Sequence, residues 1–235
     1  MSRIDLSDIR VVVIDVDGTI TDETDLLSIE AIERIRLLER SGFMTILASG
    51  NALPVTKALA HYIGSSGPVI AESGCVVDIL DDIITFGNPD SVLDALNEIK
   101  RLFGNRVRES WSNRYRHVDK VISPTIPKDK LIEIVSKYPD ISILDSKFAF
   151  HIHPKDVDKF LGVKAISETL NISLDEIAAV GDSELEIRLL KNVGFGAALD
   201  NSPDKLKEVA DYVTKEKYWR GFIEFTDLLL ESRRV

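Results

Sequence analysis

Apolar residues follow two alternating rhythms near both ends of the chain and a different arrangement in its middle. Residues 10–16 (RVVVIDV) form a short β-branched run, the pattern of a strand buried on both faces. Leu26, Leu27, Ile29, Ile32, Ile35 and Leu38 recur at helical spacing, which predicts a helix over 26–40 with Gly42 as its stop. Residues 45–48 read as a strand, 54–63 as a helix that tolerates Pro54 in its first turn, and 68–71 as another short strand. That order implies a parallel sheet with helices on both faces.

The rhythm changes at residue 75. Residues 75–86 read as two strands around Asp81-Asp82, a hairpin rather than a crossover, and 90–103 as a helix. Strand patterns at 106–109, 116–122, 141–144 and 148–152 surround a helix opened by Pro127 and ending near Tyr138, so this block predicts a mainly antiparallel α+β unit. From residue 156 the first rhythm returns: a helix to about 170, strand 177–180, helix 184–191, strand 194–198, helix 203–209 and a last helix at 222–231. The expected fold is α/β. A doubly wound, Rossmann-like parallel-sheet core spans 1–83 and 155–235, interrupted by an inserted α+β unit at 84–154.

Of the 235 residues, 44% are apolar and 29% charged, an ordinary balance for a soluble globular protein with a core of its own. The single cysteine, Cys75, excludes an intrachain disulfide and fits a reducing cytoplasm. The N-terminus lacks the uninterrupted apolar stretch of a signal peptide, and charges break every apolar run before membrane-spanning length. A net charge of -10 repels nucleic acid and anionic lipid at long range. It disfavours anionic substrates too, so a phosphate site here requires local positive charge.

Asp15-Val-Asp17-Gly-Thr19 stands at the carboxyl end of the first buried strand, the edge where open α/β sheets bind ligands. Asp15 can act there as a nucleophile toward phosphorus. Asp17 returns to the same side of an extended chain, placed for general acid and then base work. Gly18 permits a sharp turn, and Thr19 offers a hydroxyl and an amide to a phosphate oxygen. The bland alternative is a polar strand end: the same spacing recurs at Asp156-Val-Asp158, which opens a helix with no strand before it. Ser49-Gly50-Asn51 follows the second strand, where a hydroxyl and free amides can hold a phosphate oxygen; Ser and Asn are equally the residues of a helix N-cap. Lys159 opposes the dipole of the helix it opens, which suits a nearby anion or a solvated lysine, and Lys164 competes one turn deeper. Strand 177–180 runs into Gly181-Asp182-Ser183-Glu184-Leu185-Glu186, whose carboxylates can join Asp15 in an oxygen-rich cage suited to Mg2+ with waters retained.

The strand followed by Asp-Val-Asp-Gly-Thr resembles the first motif of the haloacid dehalogenase (HAD) superfamily, and the other three stations follow in order over essentially the whole chain. The resemblance implies a Mg2+-dependent phosphatase working through an aspartyl-phosphate. It makes Asp15 the nucleophile and Asp17 the acid–base; Thr19, Ser49, Gly50 and Lys159 hold phosphate; Asp15, the Asp17 carbonyl, Asp182 and Glu186 surround the metal. Two departures stand out. Leu185 and Glu186 replace the Asn and Asp of G-D-S-x-N-D, and Ser73 replaces the Asn of Glu-Asn-Gly.

The insert's position resembles a C2-type cap, which closes over the site and reads the leaving group. Its polar candidates are Arg114, Arg116, His117, Lys120, His151 and His153, or else these are solvated strand faces; His151 leads because Phe148-Ala-Phe150-His151 resembles a cap-edge segment. Length and local wording, including Asn201 before the helix at 203, are similar to archaeal-type phosphoglycolate phosphatases. The implied partner is a small phosphorylated metabolite, 2-phosphoglycolate first. Sugar-phosphate phosphatases share the scaffold; a phosphomutase, or a phosphate-ester binder weakened through Leu185 and Glu186, are further alternatives. A phospho-accepting receiver domain would be roughly half as long and uncapped. A homodimer agrees with the resemblance, although no patch in the sequence specifies one.

Overall fold

The structure, a computed structural model, describes residues 5–146 and 148–233. The first rhythm yields β1 (Val11–Asp15), α1 (Ile29–Arg40), β2 (Met44–Ala48), α2 (Leu53–Ile63) and β3 (Val69–Ala71), then a hairpin of β4 (Val76–Ile79) and β5 (Asp82–Thr85). The middle block yields α3 (Pro89–Phe103), β6 (Lys120–Ile122), α4 (Lys128–Val135), β7 (Ile141–Asp145) and β8 (Phe150–Pro154). The last block yields α5 (Lys159–Leu170), β9 (Ile177–Gly181), α6 (Ile187–Leu190), β10 (Phe195–Ala198), α7 (Asp204–Lys207), β11 (Tyr212–Val213) and α8 (Tyr218–Ser232).

One large sheet has the order β11-β10-β9-β1-β2-β3-β4-β5, parallel from β11 to β3 and antiparallel through β4 and β5. Every residue of β1 is buried, as its unbroken apolar run demands of a central parallel strand. Its side chains divide by parity: Val12 and Ile14 pack with α1, α2 and α8, while Val11 and Val13 pack with α5, α6 and α7. This is the doubly wound core. The chain leaves β1 toward β2 and β3, then returns to β9 on the other side of β1, so the winding reverses at β1. Ligands of open α/β sheets bind at the carboxyl ends of strands flanking such a reversal.

The insert folds as a small antiparallel sheet, β6-β8-β7, with α3 and α4 on one face. Val92, Leu96, Ile99, Leu131 and Ile134 bury against Ile122, Phe150 and Ile152, a core separate from the two beneath the large sheet. The opposite sheet face carries Val121, His151 and Leu144, aligned by strand register. That face looks at the larger unit.

Several boundaries differ from the pattern. Residues 106–109 form no strand: a 3-10 turn occupies Gly104–Arg106, and only Glu109 bridges to Ile122. The strand expected at 116–122 is confined to 120–122, because the amides of 117–119 are turned toward Glu72 instead. The helix expected from 184 starts as a 3-10 turn, Glu184–Glu186, and the last helix begins at Tyr218. Among the described residues no helix is long and apolar enough to cross a membrane.

Candidate active site

β1 ends in Asp15, β2 is followed by Ser49, and β9 is followed by Asp182, so three adjacent strands deliver the first, second and fourth stations to one edge. Lys159 reaches that edge as the first residue of α5. Asp158 caps this helix, accepting from the Leu161 amide at 3.0 Å. The loop at 72–74 presses against the same turn: Gly74 has φ +105°, and a Cβ there would strike the Asp158 carbonyl.

Asp15 is 7% exposed and Lys159 4%. The Lys159 ammonium donates to Asp15 Oδ1 and, on its other side, to Glu186 Oε1 at 2.6 Å. Burial pushes the Asp15 carboxyl well above its ordinary range; Lys159 opposes this, while Glu186 and Asp182 add to it. Burial also works against the charge on Lys159, but Asp15 and Glu186 outweigh it and hold the ammonium above the usual lysine range. The local positive charge that an acidic chain needs for phosphate is present. It is fixed in place.

Asp17 is exposed, and its Oδ2 accepts from Asn51 Nδ2 at 3.1 Å and Ser49 Oγ at 3.4 Å. Desolvation raises its pKa against the pull of Lys159. A carboxyl so raised keeps more of the protonated form that a general acid requires. Neither Ser49 nor Asn51 caps α2, whose cap position is Ala52 with no side-chain hydrogen bond.

Three expected site residues have different surroundings from those anticipated. Thr19 directs its hydroxyl to Asp15 Oδ2 at 3.0 Å and its amide to the Val16 carbonyl. Asn201 donates to the Gly18 carbonyl and to Asp182 Oδ2, each at 3.1 Å, and accepts from the Tyr218 amide; it orients Asp182. Glu186 is 1% exposed; its Oε1 accepts from Lys159 at 2.6 Å and its Oε2 from the Ser183 amide and hydroxyl at 2.9 and 2.7 Å. Its extra methylene lets it span those two partners.

The acidic edge suits a divalent cation that keeps water ligands. Among the described residues no three acidic, His or Cys side chains gather into a cage of their own. Asp15 and Asp182 nevertheless repel one another electrostatically. Gly18, at φ +82°, lets the Asp182 carboxylate lie where a Cβ would otherwise be. The Asp15 and Asp182 carboxylates, completed by water, would suit Mg2+.

The cap meets this edge through Arg116 and His151, both candidates in the sequence, and through Asp119, which the sequence reading passed over. Arg116 donates to the Gly50 carbonyl at 2.9 Å and to Asp119 Oδ1 at 2.5 Å. Asp119 also lies 2.7 Å from His151 Nδ1. Burial of Asp119 is outweighed by hydrogen bonds from His151 and His153 and by the Arg116 charge, which hold its carboxyl well below the usual range. His151 comes within 3.8 Å of where a Cβ on Gly50 would sit. From the core side, the Glu72 carboxylate accepts the amides of His117, Val118 and Asp119 at 2.8, 3.0 and 3.2 Å. Arg114 and His117 are exposed, and Lys120 donates to the Arg116 carbonyl at 2.9 Å. Asn51, Glu72 and Asp119 had no distinguishing signal beyond lying in or near quoted segments.

A doubly wound sheet that brings an aspartate pair, a buried lysine and a second acidic loop to its winding reversal beneath an inserted cap defines a HAD-like hydrolase. The sequence profile described as haloacid dehalogenase-like hydrolase matches residues 12–105 and 103–225, and the chain belongs to that family. It is 35% identical to Phosphoglycolate phosphatase 1 of Saccharolobus solfataricus, over 95% of this chain and 97% of that protein. It is 34% identical to a phosphoglycolate phosphatase of Methanospirillum hungatei, with coverage of 92% and 94%. A crystal structure from Thermoplasma acidophilum superposes with a TM-score of 0.86 at 28% identity, covering 94% of this chain and 98% of that one.

Proposed function

We propose that this protein is a Mg2+-dependent phosphomonoesterase that hydrolyses a small phosphorylated metabolite, 2-phosphoglycolate, through a phosphorylated Asp15. The observation that carries the reading is the Lys159 ammonium buried between Asp15 and Glu186 at the winding reversal of the sheet. Burying the whole Asp15–Lys159–Glu186 cluster adds little stability over an apolar core of the same shape. A lysine there makes chemical sense beside a phosphoryl group.

In this reading an Asp15 oxygen attacks phosphorus in line, and the bond from phosphorus to the leaving oxygen breaks. Protonated Asp17 gives its proton to that oxygen, releasing the alcohol. Water then attacks the aspartyl-phosphate, with Asp17 as the base that takes its proton, and Asp15 is regenerated. Lys159 and Ser49 hold phosphoryl oxygens, and Thr19 and Glu186 fix Asp15 and Lys159. Asp15, Asp182 and the Asp17 carbonyl would hold Mg2+, which neutralises phosphoryl charge and orients the group. The cap, taken as 84–154, excludes water and presents His151 to the leaving group. Names carried by relatives with about a third of their residues identical support phosphoglycolate as the substrate, and the single cysteine supports a cytoplasmic setting.

A panel of phosphate esters with Mg2+ tests the substrate. Phosphoglycolate is expected to give the highest kcat/KM; a sugar phosphate turned over about tenfold faster would reassign it.

A further inference from the structure

Between the inner face of the cap sheet and the loops around Lys159 lies a cleft of about 440 Å3, whose lining includes Ser73, Leu144, Lys155, Lys159, Leu185 and Ile187. Leu144 pairs directly across the strands with His151, so both project from the sheet face that looks at Gly50. Lys159, whose ammonium holds Asp15, also lines this cleft. Cavities of about 300–1,000 Å3 hold drug-sized molecules, well beyond the needs of a two-carbon acid.

The walls say what chemistry fits. Leu144, Leu185 and Ile187 are half-buried and apolar. Leu185 and Ser73 stand where the resembled motifs carry Asn, and both line this cleft, which is less polar for it. At the rim, Arg188 is paired with Asp158 at 3.2 Å and Glu184 with Lys205 at 3.1 Å. Lys155 is exposed and has no ion-pair partner among the described residues, with Asp156 beside it as the remaining acidic group of the lining.

We propose that the site also takes phosphate monoesters of longer ω-hydroxy acids, with the hydrocarbon chain along Leu144 and Leu185 and the carboxylate at Lys155. Leu185 is the specificity-determining residue for this class. The inference rests on Asp15 as the phosphoryl acceptor. The bonds made and broken are those already described, and only the hydroxy acid released is different.

The test compares kcat/KM for phosphoglycolate with that for the phosphate esters of four-carbon and six-carbon ω-hydroxy acids, in wild type, Leu185→Asn and Lys155→Ala. The ratio of the six-carbon ester to phosphoglycolate is expected to fall about tenfold in Leu185→Asn, the scale of a few lost methylene contacts, and about threefold in Lys155→Ala. A ratio that stays within about twofold of wild type in both variants overturns the inference, as does a wild type that hydrolyses phosphoglycolate but none of the longer esters. If wild type hydrolyses neither these esters nor p-nitrophenyl phosphate, the phosphatase reading itself falls.

Discussion

At Lys159 the side-chain chemistry of the site is concentrated in one ammonium. Replacing it with alanine leaves two buried carboxylates, Asp15 and Glu186, facing each other with no cation between them. Lys159→Ala is therefore expected to lower kcat on p-nitrophenyl phosphate by about 10²–10³ and to destabilise the fold by about 3–5 kcal/mol. Steady-state kinetics and urea unfolding check the two effects; wild-type kcat in a folded variant would contradict them. Lys159→Arg should rescue little, because a planar fork does not fit a point-charge site. The residue type and spacing of Asp15, Asp17, Ser49, Lys159 and Asp182 were legible in the sequence, because strand ends and a helix start put them in register. What could not be read was how lone pairs and protons are shared. Thr19, Asn201 and Glu186 all stand at the expected edge, and their hydrogen bonds to Asp15, Asp182 and Ser183 were not legible in the sequence.

Among the elements, the loop joining β3 to β4 does more than connect strands. Glu72, Ser73 and Gly74 take three successive left-handed conformations, φ 51°, 55° and 105°. Two of these are costly for a side-chain-bearing residue. The turn they make aims the Glu72 carboxylate at three cap amides and seats Gly74 against the start of α5. Burial, and then the charge of Asp119, raise the Glu72 pKa from 4.5 to about 7. Since the folded value lies above the unfolded one, the contribution of Glu72 to stability is full below 4.5 and is lost as pH rises through about 7. The melting temperature of wild type relative to Glu72→Gln should therefore rise as pH is lowered through that window; a difference that stays flat would contradict the raised value. This latch was invisible in the sequence. The sequence at 116–122 reads as a strand, and tertiary contact with Glu72 diverts 117–119 from it. β7 and β8, which need no such partner, lie within two residues of their expected places.

In the whole molecule, the order of strands explains why four separate loops meet. Two windings start from β1 and run in opposite directions, so the loops after β1, β2 and β9 open on one edge. The insert between β5 and α5 can only lie above it. This architecture was readable from the alternation of periods, since the strands of the core are apolar enough to declare themselves. β11, two residues long, was not. In the proposed reading, the carboxylates of Asp15, Asp17 and Asp182 at this edge of a chain of net charge -10 call for a divalent cation beside Lys159. Chelation is expected to abolish p-nitrophenyl phosphate hydrolysis and added Mg2+ to restore it, with a melting temperature that rises with Mg2+ concentration; full activity in chelator would contradict the metal. The central claim is that the Asp15 carboxylate itself takes the phosphoryl group, and the most direct test is the rate of p-nitrophenyl phosphate hydrolysis by Asp15→Asn. The account predicts a fall of about 10⁴ or more in kcat in a chain that melts as wild type or higher, because the substitution removes a nucleophile and a buried charge together. Equal rates for the two proteins would contradict it.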